Sequence, residues 1–365
     1  RIPPRVHERI NEEWLADRSR YVVDGLQARR LDRPYLRENG KLRPATWDEA
    51  LNAVAAKLKA AKPEKIGVIA GDLQDAESMK AAMDLFRALG SANTDCRQDG
   101  SAAGIGSREG WLFNTGLQGI EQADYILLVG TNPRAEAPLL NARFRKVWLS
   151  GKARVGLIGE QVDLTYDYDL IGRGTKTLAK LPKAAVDALS NAERPAIVVG
   201  AGALTGPDGP AVLNALGKLA AKVGVVRDGW NGFNVLNSAA SRVGGLDMSF
   251  VPGTGGLSAH AMVQKGALDV LFLLGADEIE TGASKAFKVY LGSHGDRGAH
   301  GADVILPGAA WTEKSGLYVN TEGRVQMAER AVFPKGEAKE DWAILRALSE
   351  RVGHTLPYDS LDQLR

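Results

Sequence analysis

Gly200-Ala201-Gly202, with Gly206 after it, is the stretch of this sequence whose residue types and spacing point most directly to chemistry. It follows the apolar run Ala196–Val199 and precedes a helical period that starts near Pro210. Glycines there let a backbone approach a pyrophosphate, and the N-terminus of the next helix faces the anion. The following apolar run, Val223–Val226, leads to Asp228, where a dinucleotide-binding fold places the acid that takes a ribose hydroxyl. Three details depart from an NAD site. The third glycine comes one residue late, the connection holds Pro207 and Pro210, and Asp228 lies farther along than the usual ~20 residues.

Nucleophilic and metal chemistry have weaker footing. The lone cysteine, Cys96, sits in Asn93-Thr94-Asp95-Cys96-Arg97, where Arg97 would depress its pKa. No base stands beside it, which favours an inert small residue. Of the five histidines only His294 and His300 are close, six apart with Asp296 and Asp303 around them, in a glycine-broken stretch that reads as a solvated loop. Zinc needs three or four converging ligands. There is no Gly-x-Ser-x-Gly elbow and no phosphate loop. Gly172-Arg173-Gly174-Thr175-Lys176-Thr177 imitates the latter without its spacing and without a convincing strand before it.

The elements that must carry these residues are those of an α/β protein. Buried-strand candidates are Ile66–Ala70, Tyr125–Val129, Val155–Ile158, Ala196–Val199, Val223–Val226, Val270–Leu274, Lys288–Leu291 and Asp303–Leu306. Helical periods alternate with them, the pattern of parallel sheets. Thr46-Trp47-Asp48-Glu49 is a capping box ahead of Leu51, Val54, Ala55 and Leu58. Met79, Met83, Phe86 and Leu89 form a stripe closed by Gly90, so those methionines belong to a core. Pro138 and Pro210 suit first helical turns, and Trp342, Leu345, Leu348 and Val352 mark a last amphipathic helix. Gly100–Gly119 and Gly244–Gly256 are glycine-rich and irregular, functional loops or crossings between domains.

Composition narrows the classes. With 365 residues the chain can build two or three full cores. Lys plus Arg is 46 against 44 Asp plus Glu, without a basic stretch interleaved with aromatics, so no nucleic-acid partner is expected. One cysteine excludes a disulfide framework within the chain and suits a reducing compartment. It also excludes a four-cysteine iron–sulphur cluster held by this chain alone. The longest apolar run, Ala267–Ala276, is about half a membrane span and contains Asp269, so no span is expected. The start, Arg1-Ile2-Pro3-Pro4-Arg5, has neither an initiator Met nor a signal-peptide core and reads as a processed product or a piece of a longer chain.

Several stretches together carry a resemblance. Ala123 to Arg134, ending Gly130-Thr131-Asn132-Pro133-Arg134, resembles the strand-to-loop element of molybdopterin oxidoreductases. Asn320-Thr321-Glu322-Gly323-Arg324-Val325-Gln326, after Asp303–Pro307, resembles the second signature of that family. So do Gly245-Leu246-Asp247-Met248 with Pro252-Gly253, and Arg33-Pro34 with Thr46–Leu51. Within the family, Gly90–Gly100, Asn11-Glu12-Glu13-Trp14, Glu136–Arg143 and Asp163–Tyr168 resemble the branch of the large iron–sulphur subunits of respiratory complex I. The resemblance runs from the N-terminus to about Gln326.

It implies two Rossmann-like parallel-sheet domains, one inserted in the other. The outer one would be 63–99 with 246–330 and the inserted one 100–245, between an N-terminal segment 1–62 and a helical segment 331–365. Active members hold a pterin cofactor, for which Asn132, Pro133, Gly200, Gly202, Asn320 and Arg324 become vestigial site candidates. They also supply a metal ligand soon after an element like Asn93-Thr94-Asp95; here Cys96, Asp99 and Ser101 are on offer, none clearly in that position. The branch implies a non-catalytic part of a subunit in NADH-to-quinone electron transfer, without catalytic, metal or cofactor residues of its own. Its 2Fe–2S and 4Fe–4S clusters would lie in a cysteine-rich region before Arg1, and its partners would be other subunits of the peripheral arm. Its place would be the cytoplasmic face of a bacterial membrane or the matrix face of a mitochondrial one. Two alternatives stay open: an active molybdenum oxidoreductase with Asn132, Asn320 and Arg324 on the cofactor, and the NAD module at Gly200–Gly206 with Asp228.

Overall fold

A computed structural model describes residues 2–365. The chain divides into two units: the first comprises the residues up to Val23, Ser101–Ser238 and Thr321–Arg324; the second comprises Asp24–Gly100, Ala239–Asn320 and Val325–Arg365. In chain order the second unit opens with β1 (Tyr35–Glu38), β2 (Lys41–Pro44), β3 (Ile66–Ala70) and β4 (Asn93–Asp95). The first unit holds β5 (Tyr125–Val129), β6 (Arg154–Ile158), β7 (Asp169–Gly172), β8 (Pro195–Gly200), β9 (Val226–Arg227), β10 (Trp230–Asn231) and β11 (Phe233–Leu236). The second unit resumes with β12 (Val270–Leu274), β13 (Phe287–Gly292), β14 (Val304–Pro307), β15 (Gly316–Val319) and β16 (Val325–Ala328).

The first unit is built on a parallel sheet in the order β11-β8-β5-β6-β7. Every residue of β5 and β8 is buried, as continuous apolar runs require when helices cover both faces. Alternation along the strand divides the core. Leu127, Val129, Ile197 and Val199 pack with Leu189, Val212 and Leu216 of helices Lys183–Asn191 and Gly209–Val223. Ile126, Leu128, Ala196 and Val198 pack with Leu140 and Phe144 of helix Pro138–Leu149. Phe144 is fully buried; its truncation to Ala would cost ~3–5 kcal/mol.

The second unit has the order β2-β1-β14-β13-β12-β3-β4, parallel from β14 to β4, with β1 and β2 added antiparallel at one edge. The expected capping box forms: Thr46 Oγ1 accepts from the Glu49 amide at 3.2 Å and Glu49 accepts from the Thr46 amide at 2.8 Å. Helix Ala76–Ala88 buries Met79 and Met83 and ends at Gly90, whose φ of +77° lets Ser91 N–H reach the Phe86 carbonyl at 2.9 Å. The last amphipathic helix is Asp341–Val352.

Two sequence expectations are corrected. Val223–Val226 is not a strand of the sheet: Val223 continues the buried stripe Val212, Leu216 and Leu219 to the end of its helix, which left-handed Gly224 (φ +65°) stops. Only the two-residue β9 follows. A strand, β7, does precede Gly172-Arg173-Gly174, but it leads into a 3₁₀ turn, Thr175–Lys180, rather than a phosphate loop opening an α-helix.

Candidate functional site

Open parallel sheets bind ligands outside the carboxyl ends of their strands, where the strand order reverses. In the first unit that point lies between β5 and β8. β5 runs into Gly130-Thr131-Asn132-Pro133 and β8 into Ala201-Gly202, so the structure brings Asn132, Pro133, Gly200 and Gly202 to one edge. The two loops meet backbone to backbone. A Cβ on Gly200 would lie 2.5 Å from both the Gly130 carbonyl oxygen and Thr131 Cβ, and one on Gly130 would lie 2.6 Å from Ala203 Cβ. Gly130 also takes φ +57°. These glycines are demanded by the chain's own packing, whether or not anything binds.

Two donors of the loop after β5 would suit an anion, the Thr131 hydroxyl and the Asn132 backbone N–H. Both are taken. Residues Pro133–Glu136 form a helical turn that brings the Glu136 carboxylate back, accepting from Thr131 Oγ1 at 2.7 Å and from Asn132 N–H at 2.7 Å. The second contact is the reciprocal half of a capping box, displaced by one residue. Asn132 Oδ1 is buried with no hydrogen-bond partner among the described residues. A phosphate taking these two donors would have to displace a carboxylate of the chain itself.

Arg324 pairs with Glu322 at 2.7 Å, and Glu322 in turn accepts from the Leu117 amide at 2.9 Å. Thr321 Oγ1 donates to the Val235 carbonyl at 3.1 Å, which places this stretch along edge strand β11 rather than at the β5–β8 reversal. Asn320 follows β15 in the second unit. The NAD reading loses its acid. Asp228 sits in the β9–β10 turn, and Trp230 Nε1 of that hairpin donates to the carbonyl of Pro195, the first residue of β8, at 2.8 Å. It is therefore at the amino edge, opposite Gly200. The strand that follows the helix is β11, which ends in Leu236-Asn237 without an acid.

In the second unit the order reverses between β3 and β12. Here too the backbones touch: a Cβ on Gly71 would lie 1.8 Å from the Gly275 carbonyl oxygen. Beside them is a polar cluster missed in the sequence. Gln98 Nε2 donates to Glu278 at 2.6 Å, Arg242 Nη2 to Asp99 at 2.9 Å, and Ser241 Oγ to the Gly71 carbonyl at 2.9 Å. Burial pushes the Asp72 carboxyl above its ordinary value, against the pull of Gln98 and Arg242. Asp72 Oδ1, Gln74 Oε1, Gln98 Oε1 and Arg242 Nε are buried without a hydrogen-bond partner among the described residues.

Of the ligand candidates, Cys96 and Asp99 lie in the second unit and Ser101 in the first. The Cys96 thiol is packed so closely on Gly245 that a Cβ there would lie 2.7 Å from Sγ. Burial pushes it up to about 12, which corrects the expected activation by Arg97. Arg97 instead pairs with Asp95 at 2.8 Å. Ser101 Oγ accepts from the Ala103 amide at 3.1 Å. Among the described residues no group of three or more His, Cys, Asp or Glu side chains is placed to hold a metal ion, and no helix is long and apolar enough to cross a membrane. A four-thiolate cluster does not fit the single cysteine of this chain.

A further cluster in the second unit is fully charged. Lys314 Nζ lies 2.6 Å from Asp75 and 2.7 Å from Asp341, all three buried. Ser78 completes it, its amide and hydroxyl each donating to Asp75 at 2.8 Å. It lies at the carboxyl edge of the sheet: Asp75 caps the helix that follows β3, and a Cβ on Gly308, just after β14, would lie 2.2 Å from Asp341 Oδ1, so the cluster ties helix Asp341–Val352 to the N-terminus of helix Ala76–Ala88.

Comparison with known proteins gives these arrangements a lineage. A family model described as molybdopterin oxidoreductase matches residues 30–351. A model described as NADH-ubiquinone oxidoreductase NDSU1/NuoG-like, 4Fe-4S domain, matches residues 1–24. The chain is 44% identical to the mitochondrial NADH-ubiquinone oxidoreductase 78 kDa subunit of Candida albicans, over all of this chain and 51% of that protein. It is 43% identical to an NADH-quinone oxidoreductase subunit of Rickettsia bellii, over all of this chain and 53% of that protein. The chain thus spans about half the length of the curated relatives it matches. Among solved structures, acetylene hydratase from Pelobacter acetylenicus matches with a TM-score of 0.66 at 15% identity, over 91% of this chain and 63% of that one. At that identity the likeness is one of fold.

Proposed function

The chain belongs to the molybdopterin oxidoreductase family, and on that premise we propose that it is the non-catalytic body of a complex I large iron–sulphur subunit. Electrons from NADH pass toward quinone through 2Fe–2S and 4Fe–4S clusters held by cysteines other than those of this chain. These residues brace the cluster-bearing region and pack against other subunits of the peripheral arm, on the cytoplasmic face of a bacterial membrane or the matrix face of a mitochondrial one. The relatives named as NADH-ubiquinone and NADH-quinone oxidoreductase subunits, 44% and 43% identical, support that assignment.

The observation that carries the non-catalytic part is Glu136. Its carboxylate takes the Thr131 hydroxyl and the Asn132 amide, the donors that a dinucleotide phosphate would need at the β5–β8 reversal. A negative charge fixed there also repels an incoming phosphate. The test is the molybdenum, tungsten and pterin content of the chain produced in a host that makes the cofactor. Negligible amounts are expected. Near-stoichiometric pterin and metal would overturn the proposal and turn attention to Asn132, Asn320 and Arg324 as cofactor contacts.

A further inference from the structure

Two cations of one helix, the buried Arg143 and the exposed Lys146, bridge the N-terminal residues to the body of the first unit. Residues His7–Trp14 form a tight turn: His7 N–H donates to the Glu12 carbonyl at 3.1 Å, the amides of Asn11 and Glu12 return to the His7 carbonyl at 3.0 Å, and Trp14 N–H reaches Asn11 at 2.9 Å. Against this turn lies Arg143, from the middle of helix Pro138–Leu149 and only 5% exposed. Its Nη2 donates to the carbonyl oxygens of Glu8 at 3.1 Å and Ile10 at 3.3 Å. Its Nη1 lies 3.3 Å from the Glu12 carboxylate and also holds Glu121 of the unit's own body. One turn along the helix, Lys146 repeats the bridge, 3.2 Å from Glu12 and 3.0 Å from Glu121.

This geometry suits an arginine. A planar fork donates in two directions at once, to carbonyls on one side and carboxylates on the other, which an ammonium at the same depth does not match. The guanidinium also depends on the segment. Without Glu8, Ile10 and Glu12 it would keep Glu121 alone among these partners. Glu12 meets the helix from a left-handed backbone, φ +51°, so its carboxylate is aimed by the turn. Residues 1–24 are also the ones that the 4Fe-4S domain model matches.

We propose that Arg143 is a positioning residue: it fixes on the molybdopterin-oxidoreductase-like body the segment through which the iron–sulphur region is attached. The inference rests on the complex I reading above. It assigns no metal ligand to this chain; the partner is the cluster-bearing protein region continuous with this segment.

The test has two arms. In the chain itself, hydrogen exchange of the Asn11, Glu12 and Trp14 amides is compared in wild type, Arg143→Met, Arg143→Lys, Glu12→Gln and Arg145→Met, the last altering an exposed neighbour on the same helix. Arg143→Met is expected to accelerate these amides at least tenfold, with Lys and Glu12→Gln intermediate and Arg145→Met silent. Unchanged rates, or equal acceleration throughout helix Pro138–Leu149, would overturn the latch. In the second arm the same variants are placed in the full-length subunit of the assembled complex and the paramagnetic resonance of its reduced clusters is recorded. A changed signal in Arg143→Met, restored in part by Lys, supports positioning; identical signals with an opened segment overturn it. A wild-type subunit with no iron–sulphur signal would overturn the complex I reading, which the exchange arm does not use.

Discussion

Replacing Lys314 with Met tests the energetics of the second unit at its most heavily charged point. The substitution keeps an unbranched stem of similar bulk but removes the cation that stands 2.6 Å from Asp75 and 2.7 Å from Asp341. Both carboxylates stay buried, and Asp341 Oδ1 already lacks a partner among the described residues. In wild type, burial pushes Asp341 up to about 6 against the pull of Lys314. For Asp75 the lysine and Ser78 outweigh burial, and the net shift is downward. Breaking a buried pair from one side costs ~3–5 kcal/mol. That corresponds to exchange from helix Asp341–Val352 faster by a hundredfold or more, if it opens with this unit. The pH dependence has a definite sign. Without the lysine both folded-state pKa values rise above their unfolded values, so the penalty is present above them and fades as pH falls through them. The variant should therefore lose more stability at pH 8 than at pH 5. Adding Asp341→Asn should restore most of the loss, because the remaining Asp75 keeps the Ser78 amide and hydroxyl. Hydrogen exchange of that helix is the assay of choice, since two units need not unfold as one. A loss below ~1 kcal/mol at pH 8, or an equal loss at both pH values, would refute the reasoning.

Three further outcomes are expected. Asp72→Asn should stabilise the second unit at pH 8 by ~1 kcal/mol, the scale of one unmade hydrogen bond. Because burial raises the folded-state pKa of Asp72, its penalty appears as pH rises, and thermal melts of variant and wild type should converge near pH 4. Glu136→Ala should cost ~1 kcal/mol, as loss of a helix cap does. It should also let millimolar inorganic phosphate raise the melting temperature of the variant while leaving wild type unmoved; equal responses would count against Glu136 as an internal anion. Cys96, buried and pushed up to about 12, should react with iodoacetamide at pH 8 only as fast as the unit opens, so rapid labelling of native protein would contradict the packing against Gly245.

The parts of the fold legible in the sequence were those whose physics is local. Ile66–Ala70, Tyr125–Val129 and Val270–Leu274 are unbroken apolar runs, and each is a fully buried strand. Strands β4 and β11 were hidden by buried polar residues that satisfy themselves on the main chain. Asn93 Nδ2 donates to the Ile66 carbonyl at 2.9 Å, and Asn234 Nδ2 to the Gly232 carbonyl at 2.9 Å. Their polarity imitates a loop. Glu136 stood in plain view four residues after Asn132, yet only the fold shows its carboxylate returning to the loop. Arg143 and Lys314 were illegible for a different reason. Arg143 meets Glu8 across 135 positions of sequence, and Lys314 lies far along the chain from Asp75. No spacing rule spans such distances.

The glycine signature at Gly200–Gly202 shows why motif and ligand come apart. Its glycines meet two demands at once: close approach by a phosphate, and close approach by the neighbouring loop. In this chain the second demand is met at Gly130–Gly200 in the first unit and at Gly71–Gly275 in the second, where a Cβ on Gly200 or on Gly71 would collide with the carbonyl oxygen of the facing glycine. Loss of a ligand would leave that packing constraint in force, so the motif persists and continues to resemble a binding site. The donors are under no such constraint. An amide and a hydroxyl left empty in a partly buried loop cost free energy, and a single acid placed one helical turn on removes that cost. Glu136 is therefore the more informative residue: glycines report that the backbones must touch, whereas the partner of the Asn132 amide reports what, if anything, the loop still has to hold.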